Sequence, residues 1–380
     1  TGATGSATGN VWESILEHVK FPLKSLEVRF SSYTPLPHRF LHHLSARFRT
    51  LTSLTLDVHT SNHQAPPAPT SQGQSTKARN WNRSLEPAGV DGDPHNPFPD
   101  LTSLHLICRS GTQVCGCYPP WLIEKATAIT FSLGTNYSSA QTFAPTLTGL
   151  TTSPNLKNFT IISDNPNMAN LSMTSILPLL AQQGLEELVI DVYGLQQESY
   201  PERGDHLLHK LVDAAASMNP RSLRTLIVPC RQTPVQQQQP QYNAYGQWQN
   251  VTVNVQATYP PVSSLVYIAK TTPELTKLSI ALDSSARPDK ETLKSLLSAW
   301  DHRTSASNLL YLEVLEMRST AFALRECGEL ARLLDDTFPR LISISMANVR
   351  CRPTSWDESW EVVEENRKLL QEVRLRRGAH

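Results

Sequence analysis

One phrase, Leu-x-x-Leu-x-Leu, recurs along this chain and constrains its fold more than any other feature. Clear copies run Leu23 to Val28, Leu51 to Leu56, Leu101 to Leu106, Leu156 to Ile161, Leu185 to Ile190, Leu223 to Val228 and Leu275 to Ile280. Degenerate copies are read at Ala126 to Phe131, Leu312 to Met317 and Leu341 to Met346. Alternate side chains of a strand share a face. Leu26 and Val28 therefore point toward a core, and Ser25, Glu27 and Arg29 away from it. Between copies lie stretches with helical apolar spacing. A strand-plus-helix unit cannot bury its apolar side alone, so copies of it must stack as a solenoid.

The spacing predicts helices over Pro37–Phe48, Met173–Gln183, His206–Met218, Ser263–Thr272, Lys290–Trp300, Phe322–Phe338 and Trp356–Arg374. Val11–Val19 is read as the helix before the first strand. Gly184, Pro220, Pro273 and Pro339 close helices. Repeat starts lie 28 apart from Leu23 to Leu51 and 29 apart from Leu156 to Leu185 and from Leu312 to Leu341. Two inserts lengthen other gaps. Thr60 to Pro99 and Arg231 to Tyr259 are rich in Pro, Gln and Asn and poor in aliphatics. They cannot bury enough apolar surface to offset ordering entropy and are read as mobile loops. Within the second, Val251–Gln256 alternates like a strand. The expected organisation is a disordered segment over 1–10, a repeat domain over 11–350 and a capping helix over 351–380.

At 380 residues the chain exceeds what one globular core supports, a limit that stacked repeats escape. Thirty-four basic residues balance 34 acidic ones, so no bulk charge points to nucleic acid or an anionic membrane. The charged share of 18% is low against about 25% for typical domains, which leaves an uncharged polar surface. Six scattered cysteines fit a reducing compartment. No apolar run is long enough to span a bilayer, and the start carries no secretory pattern. A cytoplasmic or nuclear protein is expected. The chain opens on Thr, so a segment preceding it is expected as well.

No constellation supports catalysis. Cys108, Cys115 and Cys117 with His105 lack the paired spacing and the second pair of a zinc site. His206 and His209 share a helix face without a carboxylate in the metalloprotease arrangement, and His42 and His43 read as an exposed face. No phosphate loop, nucleophile elbow or dinucleotide fingerprint is present. No metal and no cofactor is expected, and the chain is read as a non-enzyme. The sequons at Asn82, Asn136, Asn158, Asn170 and Asn250 are expected by chance in so Ser/Thr-rich a chain.

The phrase resembles the leucine-rich repeat, from Leu23 to about Met346. The resemblance implies an α/β fold: a right-handed solenoid of about ten irregular repeats, with a curved parallel sheet on the concave face and helices on the convex face. The Asn or Cys that usually follows the phrase is mostly absent: Ser31, His59, Arg109, Asp164 and Arg231 stand there. Other polar groups are therefore expected to replace the buried Asn ladder. Irregular repeat length, Pro- and Gln-rich inserts and a neutral composition resemble the repeat regions of fungal F-box-like proteins. That resemblance implies the substrate-recognition part of a ubiquitin-ligase adaptor, with an F-box before Thr1 engaging a cullin-type ligase. The alternative is a leucine-rich-repeat regulator of a small GTPase or another signalling scaffold.

On either reading a protein partner is expected on the strand face. Its candidate contacts are Arg29, Asp57, His105, Ile107, Asn158, Thr160, Ile162, Glu187, Val189, Asp191, Ile227, Lys277, Glu316 and Arg318. Ile107, Ile162, Val189 and Ile227 are expected to form an apolar stripe with charged residues to either side, the anatomy of a protein interface.

Overall fold

The computed structural model describes residues 18–19, 21–29, 40–58, 98–110, 120–136, 153, 155–163, 184–192, 194–196, 222–228, 231–233, 236–242, 248–254, 259–284, 307–316, 323–346 and 355–378. The chain forms two compact units, Thr1–Met168 and Ala169–His380.

The first unit holds β1 (Ser25–Arg29), α1 (Phe40–Arg47), β2 (Ser53–Val58), β3 (Ser103–Ser110), α2 (Pro120–Lys125), β4 (Ala128–Asn136) and β5 (Asn158–Ser163). Its five strands pair in parallel and in chain order. The second unit holds β6 (Glu187–Val192), β7 (Gly194–Gln196), β8 (Thr225–Val228), β9 (Arg231–Thr233), β10 (Gln236–Tyr242), β11 (Trp248–Asn254), α3 (Ser263–Thr271), β12 (Lys277–Leu282), β13 (Tyr311–Glu316), α4 (Leu324–Thr337), β14 (Ser343–Met346) and α5 (Ser355–Gly378). There β6, β8, β12, β13 and β14 pair in parallel, again in that order. Ten parallel strands with helices in their connections make an α/β repeat solenoid.

Each phrase builds its strand in the same way. The first Leu closes a tight turn: Leu101 N–H donates to the Phe98 carbonyl, Leu275 to Thr272 and Leu341 to Phe338. Pro99, Pro273 and Pro339 stand at the second position of these turns, where a fixed φ suits the chain. The second phrase residue then links repeat to repeat. The Lys24 carbonyl accepts from the N–H groups of both Thr52 (2.8 Å) and Ser53 (3.0 Å). The Thr52 carbonyl accepts from Thr102 and Ser103, and the Thr102 carbonyl from Thr127 and Ala128. In the second unit the series runs through the carbonyls of Glu186, Arg224, Thr276 and Leu310. Where the second residue is Thr, its hydroxyl adds a third donor: Thr52 to Lys24 O (2.9 Å), Thr102 to Thr52 O (3.1 Å), Thr127 to Thr102 O (3.0 Å) and Thr276 to Arg224 O (3.0 Å). This ladder explains the recurrence of LeuThr at the head of the phrase.

The phrase leucines form the core. In the first unit Leu54, Leu56, Leu104, Leu106, Ile129, Phe131, Phe159 and Ile161 are buried, and the Phe131 and Phe159 rings meet edge to face at 6.0 Å. In the second, Leu188, Ile190, Leu226, Leu278, Ile280, Leu312 and Val314 are buried.

The register corrects the reading at Leu312–Met317. Leu278 pairs with Leu312 and Ile280 with Val314, so the true phrase is Leu309-x-x-Leu312-x-Val314. Leu309 is buried in the place that Leu275 and Leu341 hold in their own repeats. The last interval therefore runs from Leu309 to Leu341, longer by three positions than the frame starting at Leu312 gives. Leu309, Leu310, Leu312 and Leu315 crowd together, and both frames satisfy the phrase. A shift of three, being odd, turns every side chain to the other face.

Four expected helices are observed with bounds moved by a few residues: α1, α3, α4 and α5. Those over Met173–Gln183, His206–Met218 and Lys290–Trp300 lie outside the described residues, as do the segment 1–10 and all of the first insert before Phe98. The helix α2 was not foreseen. The second insert, read as a loop, contains strands. Residues of β7 and β9 pair in parallel, and β10 and β11 pair antiparallel from Gln236↔Asn254 to Tyr242↔Trp248. The alternation of Val251–Gln256 therefore marks part of β11.

Helix α5 packs on α4 and β14. Its Arg367 is fully buried and bonds Glu364 through both Nε (2.7 Å) and Nη2 (3.0 Å). Its Trp360 is buried too, and Trp360 Nε1 donates to Glu316 at 3.0 Å.

Candidate functional site

Between the phrase leucines, each strand turns its other residues to the opposite face of the sheet. In the first unit one row across this face is Glu27, Thr55, His105, Thr130 and Thr160. The next is Arg29, Asp57, Ile107, Ser132 and Ile162. Of the expected contacts, Arg29 is exposed, Ile162 is 39% exposed, and His105, Ile107, Asn158 and Thr160 are half-buried. Asp57 lies on this face but is only 2% exposed, so it cannot offer a partner much surface. Ser132 stands between Ile107 and Ile162, so the apolar stripe expected there is broken by a hydroxyl.

Among the described residues, His105 is the titratable side chain nearest the middle of this face. Its Nε2 and Ser132 Oγ share a hydrogen bond of 2.8 Å. Burial pushes the imidazole pKa below its ordinary value, while the negative charges of Glu27 and Asp57 pull it upward more weakly. The ring is thus held neutral and polar. At the rim, Arg29 Nε donates to Glu27 at 2.7 Å. The pair is exposed, so its geometry sets charge position more than stability.

In the second unit the corresponding rows are Glu187, Thr225, Lys277, Tyr311 and Ser343, then Val189, Ile227, Ser279, Glu313 and Ser345. Asp191 and Lys277 are exposed, and Glu187, Val189 and Ile227 are half-buried. Val189 and Ile227 are direct neighbours on adjacent strands. Beside them the face is closed locally: Ser279 is fully buried, and Ala281 and Leu315 are buried with Tyr259 packed against them. Tyr259 arrives there because its chain runs beside the end of β12, where Asp283 N–H donates to the Pro260 carbonyl at 2.9 Å.

Glu316 does not belong to this face. The corrected frame turns it inward, where it is 5% exposed and accepts from Trp360 Nε1 and from the Ser284 N–H at 3.1 Å. Arg318, expected from the same frame, lies outside the described residues. In place of Glu316 the register puts Tyr311, 47% exposed, and half-buried Glu313 on the face. Leu309 was the signal that would have found them: a leucine three residues before Leu312, at phrase spacing.

Among the described residues no group of His, Cys, Asp or Glu is arranged to hold a metal ion. Cys115 and Cys117 lie outside those residues. Among the described residues no helix is long and apolar enough to cross a membrane.

No family model and no curated protein matches the chain. Among solved structures, the Rad7 and Elc1 complex of yeast contains a similar chain at 13% identity, covering 91% of this chain and 76% of that one with a TM-score of 0.36. A protein of Bacteroides fragilis is similar at 11% identity, covering 88% of this chain and 76% of that one with a TM-score of 0.35. Both scores are low, and the fold stands on its own strand ladder.

Proposed function

We propose that this chain is a non-enzymatic scaffold that docks a protein partner on the sheet face opposite the phrase leucines. The observation that supports it is the mixed character of that face within each unit: Ile107 and Ile162 beside Thr55, Thr130 and Thr160 in the first, and Val189 and Ile227 beside Asp191 and Lys277 in the second. Apolar patches ringed by uncharged polar and charged groups suit protein recognition better than nucleic acid, which would need a basic field. The revised contact set is Arg29, His105, Ile107, Asn158, Thr160 and Ile162 in the first unit. In the second it is Glu187, Val189, Asp191, Ile227, Lys277, Tyr311 and Glu313.

The finer reading is the substrate-recognition part of an F-box-type ubiquitin-ligase adaptor, cytoplasmic or nuclear, with the cullin engaged through a module outside this chain. It rests on the style of the repeats and inserts. The reading as a small-GTPase regulator rests on the repeat class alone.

Affinity purification of the wild type and of an Ile162→Asp/Ile227→Asp variant, compared by mass spectrometry, tests both levels. Proteins lost from the variant but kept by a helix-surface control, Arg332→Asp, are face-bound partners. A cullin and its F-box linker retained by all three would support the adaptor reading. A prey list that the face variant leaves unchanged would overturn the docking proposal.

A further inference from the structure

We propose that Ala281 and Leu315, on the second unit's sheet face, form a socket for a tyrosine side chain of the docked partner, and that the chain's own Tyr259 fills this socket when no partner is bound. The inference rests on the docking reading above and names what the partner must bring to the face.

The phrase residues Leu278, Ile280, Leu312 and Val314 point into the core. Strand alternation therefore turns Ser279, Ala281 and Leu315 to the opposite face. Ala281 and Leu315 are direct neighbours across β12 and β13. They are apolar face positions, yet they are only 6% and 3% exposed, and Tyr259 is packed against them. A methyl group beside a leucine leaves a step that a flat aromatic ring fills with much apolar contact.

Tyr259 does not come from the strand-and-helix repeat. It is the last residue of the second insert, and the chain is anchored directly after it. The Pro260 carbonyl accepts from the Asp283 N–H at 2.9 Å, Pro261 bridges Asp283 in parallel, and the Pro261 carbonyl accepts from the Ser264 N–H at the start of α3. Two successive prolines fix φ at this anchor. The ring hangs on the insert side of it, half-buried, so its withdrawal leaves these backbone contacts in place.

Ser279 shows what the self-filled socket lacks. It lies two residues before Ala281 on the same face and is fully buried, and its Oγ has no hydrogen-bond partner among the described residues. A buried hydroxyl without a partner costs free energy that a suitable ligand recovers. Tyr259 packs on the apolar pair without meeting that hydroxyl. A partner's phenol entering from the open side can do both, because Ile227 stands directly beside Ser279 and Val189 beside Ile227. Self-occupancy then acts as a brake: it lowers apparent affinity by the fraction of chains whose socket is empty.

The probe is para-cresol, the tyrosine side chain as a free molecule, followed by saturation-transfer NMR on the full 380-residue chain. The wild type is expected to give little transfer and Tyr259→Ala a clear signal. Adding Ser279→Ala to that variant is expected to erase its preference for para-cresol over toluene, which has the ring without the hydroxyl. A photoreactive phenylalanine analogue at Val189 reads the partner in native cell extract. Its crosslinking yield is expected to rise at least about threefold in Tyr259→Ala, as removal of a competing conformer that holds most of the population does. A Tyr259→Ala chain that takes up no para-cresol overturns the proposal. One that no longer unfolds cooperatively makes the ring part of the core and overturns it too. Uptake of para-cresol with an unchanged crosslinking yield shows a socket that serves only the fold, and also overturns it. No crosslink from Val189 in either chain contradicts the docking reading at this face, and this inference with it, whatever the probe shows.

Discussion

Arg367 Nη2 donates to the Ile342 carbonyl at 3.2 Å, and its Nη1 donates to the Leu341 carbonyl at 2.8 Å. Ile342 is the second residue of the last phrase. At that position Glu186, Arg224, Thr276 and Leu310 each accept from two backbone N–H groups of the following repeat. The guanidinium thus supplies, from α5, the donors that another repeat would supply. Guanidinium suits the task because its fork of N–H groups reaches two carbonyls and a carboxylate together.

Arg367→Ala is expected to destabilise the second unit by about 3–5 kcal/mol, the usual cost of removing one partner from a buried pair and leaving Glu364 behind. Arg367→Lys should recover little, since an ammonium cannot hold the fork. Urea unfolding followed by circular dichroism measures both. A loss under about 1 kcal/mol would mean that the carbonyls find water instead.

Glu316→Ala separates the two phrase frames. In the observed frame it strands the indole N–H of Trp360 and the N–H of Ser284 in a buried place, at about 1–3 kcal/mol for each unmet donor. A residue on the docking face would cost almost nothing when truncated. Unfolding midpoints of the variant and wild type decide between them.

The strands were legible because the phrase is itself a strand with its faces marked: each clear copy, from Leu51 to Leu275, forms a parallel strand with its leucines buried. The docking face was legible only where the frame was unique. At Leu312 two frames satisfied the same leucines, and the wrong one placed Glu316 outside and hid Tyr311. Tertiary cover was invisible too. Nothing local marks Asp57 as buried, or Ser279 as closed off beside the Tyr259 cluster, because those surroundings come from residues far along the chain. The hairpin was half legible: Val251 and Val253 alternate, whereas glutamines carry no period.

The threonine ladder is expected to contribute in small, separable steps. Thr52→Val, Thr102→Val and Thr127→Val each remove one hydroxyl donor while keeping shape, and the carbonyl keeps its two backbone donors. Each should cost about 0.5–1.5 kcal/mol. Thermal unfolding of the singles and the triple checks this. The three share one ladder, so the triple is expected to depart from the sum of the singles.

Stability of the first unit should depend on pH through His105. Burial lowers the folded-state pKa, so the unfolded chain binds the proton more readily. The contribution of neutral His105 is fully present above the unfolded value near 6.5. It is lost as pH falls from there through the lower folded value. Denaturation midpoints should fall for the wild type as pH drops below about 6.5, and this part of the fall should be removed in His105→Gln. An equal slope in both would assign the effect to other groups.

The most direct test of the docking face is site-specific photo-crosslinking in the native cell extract. A photoreactive phenylalanine analogue is placed at Thr160 or Ile227 on the face, and at Arg332 or Lys270 on exposed helix positions. The expected result is a discrete crosslinked partner from Thr160 and Ile227, with none from Arg332 and Lys270. Crosslinks from the helix positions alone would place the partner on the other side and contradict the proposed function.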